Sequence, residues 1–182
     1  MELYDTVRAR RSVRSFEDRA VPREVIGRLL EAARQAPSAN SLMPWRFVVV
    51  TDQSIRSAIA ASAAYGKFLS KAPVAIAALG DETLSPKWFT VDTAIALEHI
   101  ALAAVAEGLG SCWIGNFDEA QVLSLLGAPD GQRVVALLAL GYPKDRIDPS
   151  KLVNVFLHPT KKIDGIASEG VYTIPWKIEA RD

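Results

Sequence analysis

An α+β fold, with a central sheet flanked by helices, is what the sequence predicts, and three observations carry it. Short runs rich in β-branched or wholly apolar residues recur at Arg46–Thr51 (RFVVVT), Pro73–Leu79 (PVAIAAL) and Val134–Leu140 (VVALLAL). Longer stretches of helical period separate them, so helix is in excess. The chain has 182 residues, of which 49% are hydrophobic. A single domain of this size can bury roughly 70% of the surface its unfolded chain exposes.

The elements follow in order. Leu3 and Val7 stand four apart on a first short helix. Pro22 opens a second, with Val25, Ile26, Leu29, Leu30 and Ala33 on one face, and Pro37 ends it. After the strand at Arg46–Thr51 comes an alanine-rich helix, Ile55–Ala64, and then the strand at Pro73–Leu79. Thr90–Glu107 is a long helix, apolar nearly all round, that belongs in a core or a subunit interface; Gly108 and Gly110 terminate it. Trp113 and Ile114 suggest a short strand. Asp118 with Gln121 forms a capping-box pattern for a helix ending at Gly127. The third strand, Val134–Leu140, stops at Gly141 and Pro143. No repeat or linker divides residues 1–182, which read as one domain. The tail, about 145–182, has few periodic apolar positions and needs another surface to lie on.

Composition excludes several classes. Lysine and arginine number 21 against 21 acidic residues, so no general attraction draws the chain to nucleic acid or an anionic membrane. The opening MELYDTVRARR lacks the apolar core of a secretory signal. The most apolar stretch, Ala94–Ala106, is interrupted by Glu98 and His99 and falls short of the roughly 20 residues of a membrane span. A lone cysteine, Cys112, suits a reducing cytoplasmic setting and reads as an inert buried thiol. His99 and His158 lie far apart in sequence, with His99 reading as a core residue, and no metal site is expected. No G-x-S-x-G elbow, phosphate-binding P-loop or Rossmann fingerprint occurs.

Three segments offer chemistry. Arg10-Arg11-Ser12-Val13-Arg14 concentrates guanidinium groups, the best bidentate partners for phosphate. Extended, it turns residues 10, 12 and 14 to one side and Arg11 to the other; taken alone, it reads more readily as a solvated basic turn. Ala36–Phe47 (APSANSLMPWRF) is a proline-stiffened polar loop before a strand, either a wall for a planar ligand or an ordinary connection. In Gly108–Phe117 (GLGSCWIGNF), the Gly115-Asn116 turn allows backbone to approach a ligand closely.

In this order the segments resemble the nitroreductase family of FMN-dependent oxidoreductases, whose pattern is R-x-S-x-R, A-P-S-x-x-N-x-Q-P-W, G-L-G-x-x-W-I-G, G-Y-P and a closing basic stretch. Here these are Arg10/Ser12/Arg14, Ala36–Trp45, Gly108–Gly115, Gly141-Tyr142-Pro143 and Lys161-Lys162, across about Leu3–Ile166. The resemblance implies a nitroreductase-like fold with a central mixed or antiparallel sheet, in an intertwined homodimer whose tails embrace the partner subunit. An obligate two-fold interface of this kind buries more than about 2,000 Å². Arg10, Ser12 and Arg14, with Arg11 nearby, would hold the phosphate and pyrimidine edge of FMN. Lys161 or Lys162 would reach the phosphate, and Lys67 the pyrimidine edge. Pro37, Ser38, Ala39, Asn40, Ser41 and Met43 would line the flavin pocket from the partner subunit, and Trp113, Ile114, Gly115 and Asn116 would pass along the ring. A backbone N–H near Gly115 or Asn116 would point at flavin N5. Two departures stand out: Met43 replaces the family's glutamine, and Asn40 stands one residue before its asparagine, at Ser41.

The implied activity is ping-pong: NAD(P)H passes hydride to flavin N5 and leaves, and a nitroaromatic or quinone-like acceptor then takes its place. No catalytic side chain is required, because the flavin carries the chemistry. Alternatives are the same flavin chemistry with another acceptor (dehalogenation or dehydrogenation), a non-catalytic flavin-binding protein, and a flavin-free scaffold.

Overall fold

The computed structural model describes residues 2–144 and 160–177. The chain divides into two compact units, Met1–Asp145 and Arg146–Asp182. In the first unit four strands, β1 (Trp45–Val50), β2 (Val74–Asp81), β3 (Gly110–Ile114) and β4 (Gln132–Gly141), form one sheet in the order β1-β2-β4-β3. Every neighbouring pair is antiparallel, which settles the mixed-or-antiparallel expectation. A bulge between Ala78 and Leu79 leaves Val135 of β4 without a counterpart.

The unbroken apolar runs of β2 and β4 reflect burial on both faces. Val74, Ile76, Ala78, Ala136, Leu138 and Leu140 point to one core, with α2 (Arg23–Arg34) and α4 (Phe89–Ala106). Ala75, Ala77, Leu79, Leu137 and Ala139 point to the other, with α3 (Gln53–Ala61) and α5 (Glu119–Leu126). α1 (Leu3–Ala9) leaves Leu3, Tyr4 and Val7 exposed. By length and composition α4 could cross a membrane, whereas the apolar stretch Ala94–Ala106 alone is too short to do so. Here it packs between α2 and the sheet, with Ala96, Leu97, Ile100, Ala101 and Ala104 fully buried.

Local chemistry accounts for most ends. Asp118 Oδ1 accepts the Gln121 N–H at 3.0 Å, as the capping pattern predicts. α4 ends in a Schellman motif: Leu109 N–H donates to Ala104 O at 2.8 Å and Gly108 N–H to Val105 O at 3.0 Å, with Gly108 at φ +75°. Gly110 therefore does not terminate the helix, contrary to the sequence reading. It opens β3, where a Cβ would fall 2.6 Å from Val13 Cγ2. α3 stops at Ala61, before Ala64, because Ala63 leaves the helix to bridge Phe117.

Several carboxylates titrate below their usual range. The Arg34 and Gln35 side chains bring Glu31 down to about 2. Arg133 lowers Glu119, and Arg28 lowers Glu107. The Ser54 hydroxyl and the Ile55 N–H lower Asp52. A carboxylate depressed in the folded state stabilises above its unfolded value and loses that contribution as pH falls through the folded one. The urea midpoint should therefore fall as pH drops from 4.5 toward about 2 at low salt. An unchanged midpoint through that window would show that these pairings contribute nothing.

The second unit is described over residues 160–177. A short 3₁₀ turn, Ile163–Gly165, precedes a bridge between Ser168 and Pro175. Ile166, Val171, Tyr172 and Trp176 are exposed. Most of the expected tail, 145–159 and 178–182, lies outside the described residues.

Candidate functional site

The Arg10–Arg14 segment leaves α1 extended and lies along the outer edge of β3. Ser12 bridges Ser111 in parallel orientation, and Val13 N–H donates to Ser111 O at 2.9 Å. Phe16 then bridges Pro143, and Glu17 N–H donates to Tyr142 O at 2.8 Å, so the G-Y-P turn is part of the same arrangement. The first and third sequence segments thus come together through backbone pairing.

Along this edge Arg10, Ser12 and Arg14 are half-buried. Arg10 reaches Glu98 of α4 at 3.7 Å. The Arg14 guanidinium lies 6.0 Å from the Phe68 ring centroid, which brings the 3₁₀ segment Lys67–Lys71 alongside. Arg11 turns the other way, as alternation predicts. It lines a hollow of about 160 Å³ with Val13, Val105, Gly108 and Pro143. At the end of β3, Ile114 is buried while Gly115 and Asn116 are exposed. A Cβ on Gly115 would meet nothing within 4 Å, so the backbone there is open to a flat group.

The second sequence segment is elsewhere. It leads into β1, at the opposite edge of the sheet from β3, about 14 Å away across three strand spacings. The register adds a further offset. Ile114 is level with Leu137, Ala77 and Val48, and Trp45 lies three residues farther along β1. Pro37, Ser38 and Ala39 instead meet Trp88, Val91, Asp92 and Ile95 around a hollow of about 310 Å³ at the start of α4. One chain therefore does not unite all three segments. Lys161 and Lys162 belong to the second unit.

The Ala36–Pro44 loop is strained. Asn40 (φ 52°), Ser41 (φ 56°) and Met43 (φ 45°) all adopt left-handed backbone. Asparagine tolerates this region well; serine and methionine do so less readily, at a cost on the order of 1–3 kcal/mol each. The Ser38 hydroxyl accepts the Met43 N–H at 2.9 Å, and the buried Asp92 carboxylate accepts the Ala39 N–H at 3.1 Å. Sequence reading passed over Asp92. Its signal was a carboxylate in the first turn of an otherwise apolar helix.

His99 Nδ1 lies 3.1 Å from Ala32 O, tying α4 to α2 as a core histidine does. Cys112 is buried in β3.

Comparison with known proteins places this architecture. The family model described as "Nitroreductase family" matches residues 7–67 and 60–142. A relative from Thermus thermophilus named "NADH dehydrogenase" is 32% identical, covering 78% of this chain and 86% of its own. A "5,6-dimethylbenzimidazole synthase" from Rhodospirillum rubrum is 31% identical, with 75% and 79% covered. The solved structure of an "FMN-dependent Nitroreductase" from Clostridium difficile superposes with a TM-score of 0.74 at 28% identity, covering 86% of this chain and 98% of that one.

Proposed function

The chain belongs to the nitroreductase family, and we propose that it is an FMN-dependent oxidoreductase that draws on NAD(P)H and works as a homodimer with shared sites. The observation that carries this reading is the pairing of the Arg10–Arg14 segment with the edge of β3. It lines two guanidinium groups and a hydroxyl along the outer edge of β3, the strand that runs on to the open backbone of Gly115-Asn116. The donor set fits FMN: cationic hydrogen-bond donors for a phosphate, on an edge that ends at Gly115, where no side chain stands between the backbone and a flat ring.

Arg10, Ser12 and Arg14 hold the phosphate and the pyrimidine edge, and Lys67, next to Phe68, adds positive charge on the same side. Trp113, Ile114, Gly115 and Asn116 present backbone to the ring. When bound there, FMN would supply the redox chemistry that links the reduced nicotinamide to the acceptor. The Pro37–Met43 wall comes from a second copy, because within one chain it stands at the far edge of the sheet. Exposed Leu3, Tyr4 and Val7 of α1 and Val91 and Ile95 of α4 supply apolar surface for that copy. The acceptor is a nitroaromatic or a quinone, and a cytoplasmic location goes with this chemistry. The 5,6-dimethylbenzimidazole synthase relative supports a second reading, with the same flavin site serving another acceptor.

The test is reconstitution with FMN, removal of free flavin, and anaerobic titration with NADH and with NADPH. A yellow protein of dimeric mass that either nucleotide bleaches, and a nitroaromatic or quinone re-colours, is the expected result. A colourless protein after reconstitution overturns the reading. A yellow one that neither nucleotide bleaches leaves a flavin-binding protein without this activity.

A further inference from the structure

We infer that Asp92 is a positioning residue for the site: its carboxylate holds the Ala36–Pro44 loop in its left-handed conformation and so sets the wall that this loop presents. The inference rests on the flavin reading for the meaning of the wall, though not for the anchor itself. The ends of the loop are seated by the buried side chains of Ala36 and Pro44. Between them its hydrogen bonds are local: Ser41 N–H to Ser38 O, Leu42 N–H to Ala39 O and Met43 N–H to the Ser38 hydroxyl. Such bonds curl a loop without fixing it to anything. Among the described residues, the bond from Ala39 N–H to Asp92 Oδ2 at 3.1 Å ties the middle of the loop to the rigid scaffold.

The arrangement is chemically specific. Asp92 is 4% exposed, yet stands in the first turn of α4, where a carboxylate is favoured by the helix dipole. A backbone donor on a buried carboxylate makes a charge-assisted bond, stronger than one between neutral groups. Three left-handed residues follow within four positions of the bonded amide, so the tether holds a conformation the loop would otherwise leave. Ser38 is extended (φ −144°, ψ 156°), the backbone that a residue before proline adopts. Ala39→Pro therefore deletes the donor and leaves every residue of α4 unchanged, while Asp92→Ala deletes the acceptor. Asp92→Asn keeps an oxygen acceptor in the same place.

Two measurements on the full chain test this. Amide exchange on the flavin-free protein reads the tether, and FMN dissociation with the acceptor KM reads the wall. Asp92→Ala and Ala39→Pro are both expected to speed exchange at Ser41, Leu42 and Met43 by about tenfold or more, with β2 and β4 unchanged. Both are expected to weaken FMN and raise the acceptor KM by a comparable factor, and Asp92→Asn should restore most of each. Unchanged loop exchange in both variants overturns the anchor. Faster exchange with parental FMN affinity and KM overturns the link to the wall. An Asp92→Asn chain as impaired as Asp92→Ala overturns the acceptor role. If the parent chain never takes up FMN, the flavin reading and the wall fall together, and the exchange comparison still decides the anchor.

Discussion

Replacing both Arg10 and Arg14 with alanine should strip FMN from the protein while leaving it folded. Each charge-assisted bond to the phosphate contributes roughly 1.5–3 kcal/mol. Losing both weakens binding by about 10²- to 10⁴-fold. Two contacts that these arginines make within the folded chain are weak. The pair between Arg10 and Glu98 spans 3.7 Å with side chains 35% and 41% exposed, and such pairs contribute about 0–1 kcal/mol. The approach of Arg14 to Phe68, at 6.0 Å, is at the outer limit of a cation–π contact. Flavin absorbance after gel filtration, set against thermal denaturation, separates the two effects. Full flavin occupancy in the double variant would remove the phosphate assignment.

Gly110→Ala should damage both stability and flavin binding, although residue 110 would touch no flavin. Its new Cβ would lie 2.6 Å from Val13 Cγ2 and 2.8 Å from Val13 Cβ. Contacts that short do not persist, and the neighbour is the branch point of a side chain beside its own backbone. The Val13 N–H bond to Ser111 O must then lengthen, and the Arg10–Arg14 segment moves away from β3. Overpacking of this kind costs about 1–3 kcal/mol. The displaced guanidinium groups should lower FMN affinity further than that loss of stability explains. Gly115→Ala is the control, since its Cβ meets nothing within 4 Å and the fold should be indifferent to it. A Gly110→Ala protein with parental denaturation midpoint and parental FMN affinity would show that close packing at Val13 does not place the basic segment.

Much of this arrangement was legible in the sequence because its causes are local. The strands at Arg46–Thr51, Pro73–Leu79 and Val134–Leu140 announce themselves by β-branched and apolar runs, and each lies within one or two residues of its observed position. The α5 cap at Asp118 and the stop at Gly127 are read from side-chain chemistry within a few residues. Gly110 shows where such reading ends. A glycine just after a helix looks like a terminator, yet what demands it is Val13, nearly a hundred residues earlier in the chain.

The site divides along the same line. The types of its groups, guanidinium, hydroxyl and a glycine turn, were legible because phosphate and flat-ring chemistry select residue types. Their grouping was not, because it follows from strand order. Pairing in the order β1-β2-β4-β3 joins Arg10–Arg14 to Gly110–Asn116 and sends Ala36–Trp45 to the far edge. The role of Asp92 was equally hidden, since its partner is a backbone amide 53 residues away and amides carry no sequence signature.

By itself, then, the order of residues determined the helices, the strands, the caps and the kinds of chemistry this protein can offer. Each of these depends on propensities and patterns that span a few neighbours. Only the tertiary structure decided which segments meet, which glycine is sterically required and which carboxylate steadies the strained loop. Those outcomes depend on sheet register and close packing between residues distant in the chain, and no local pattern encodes them.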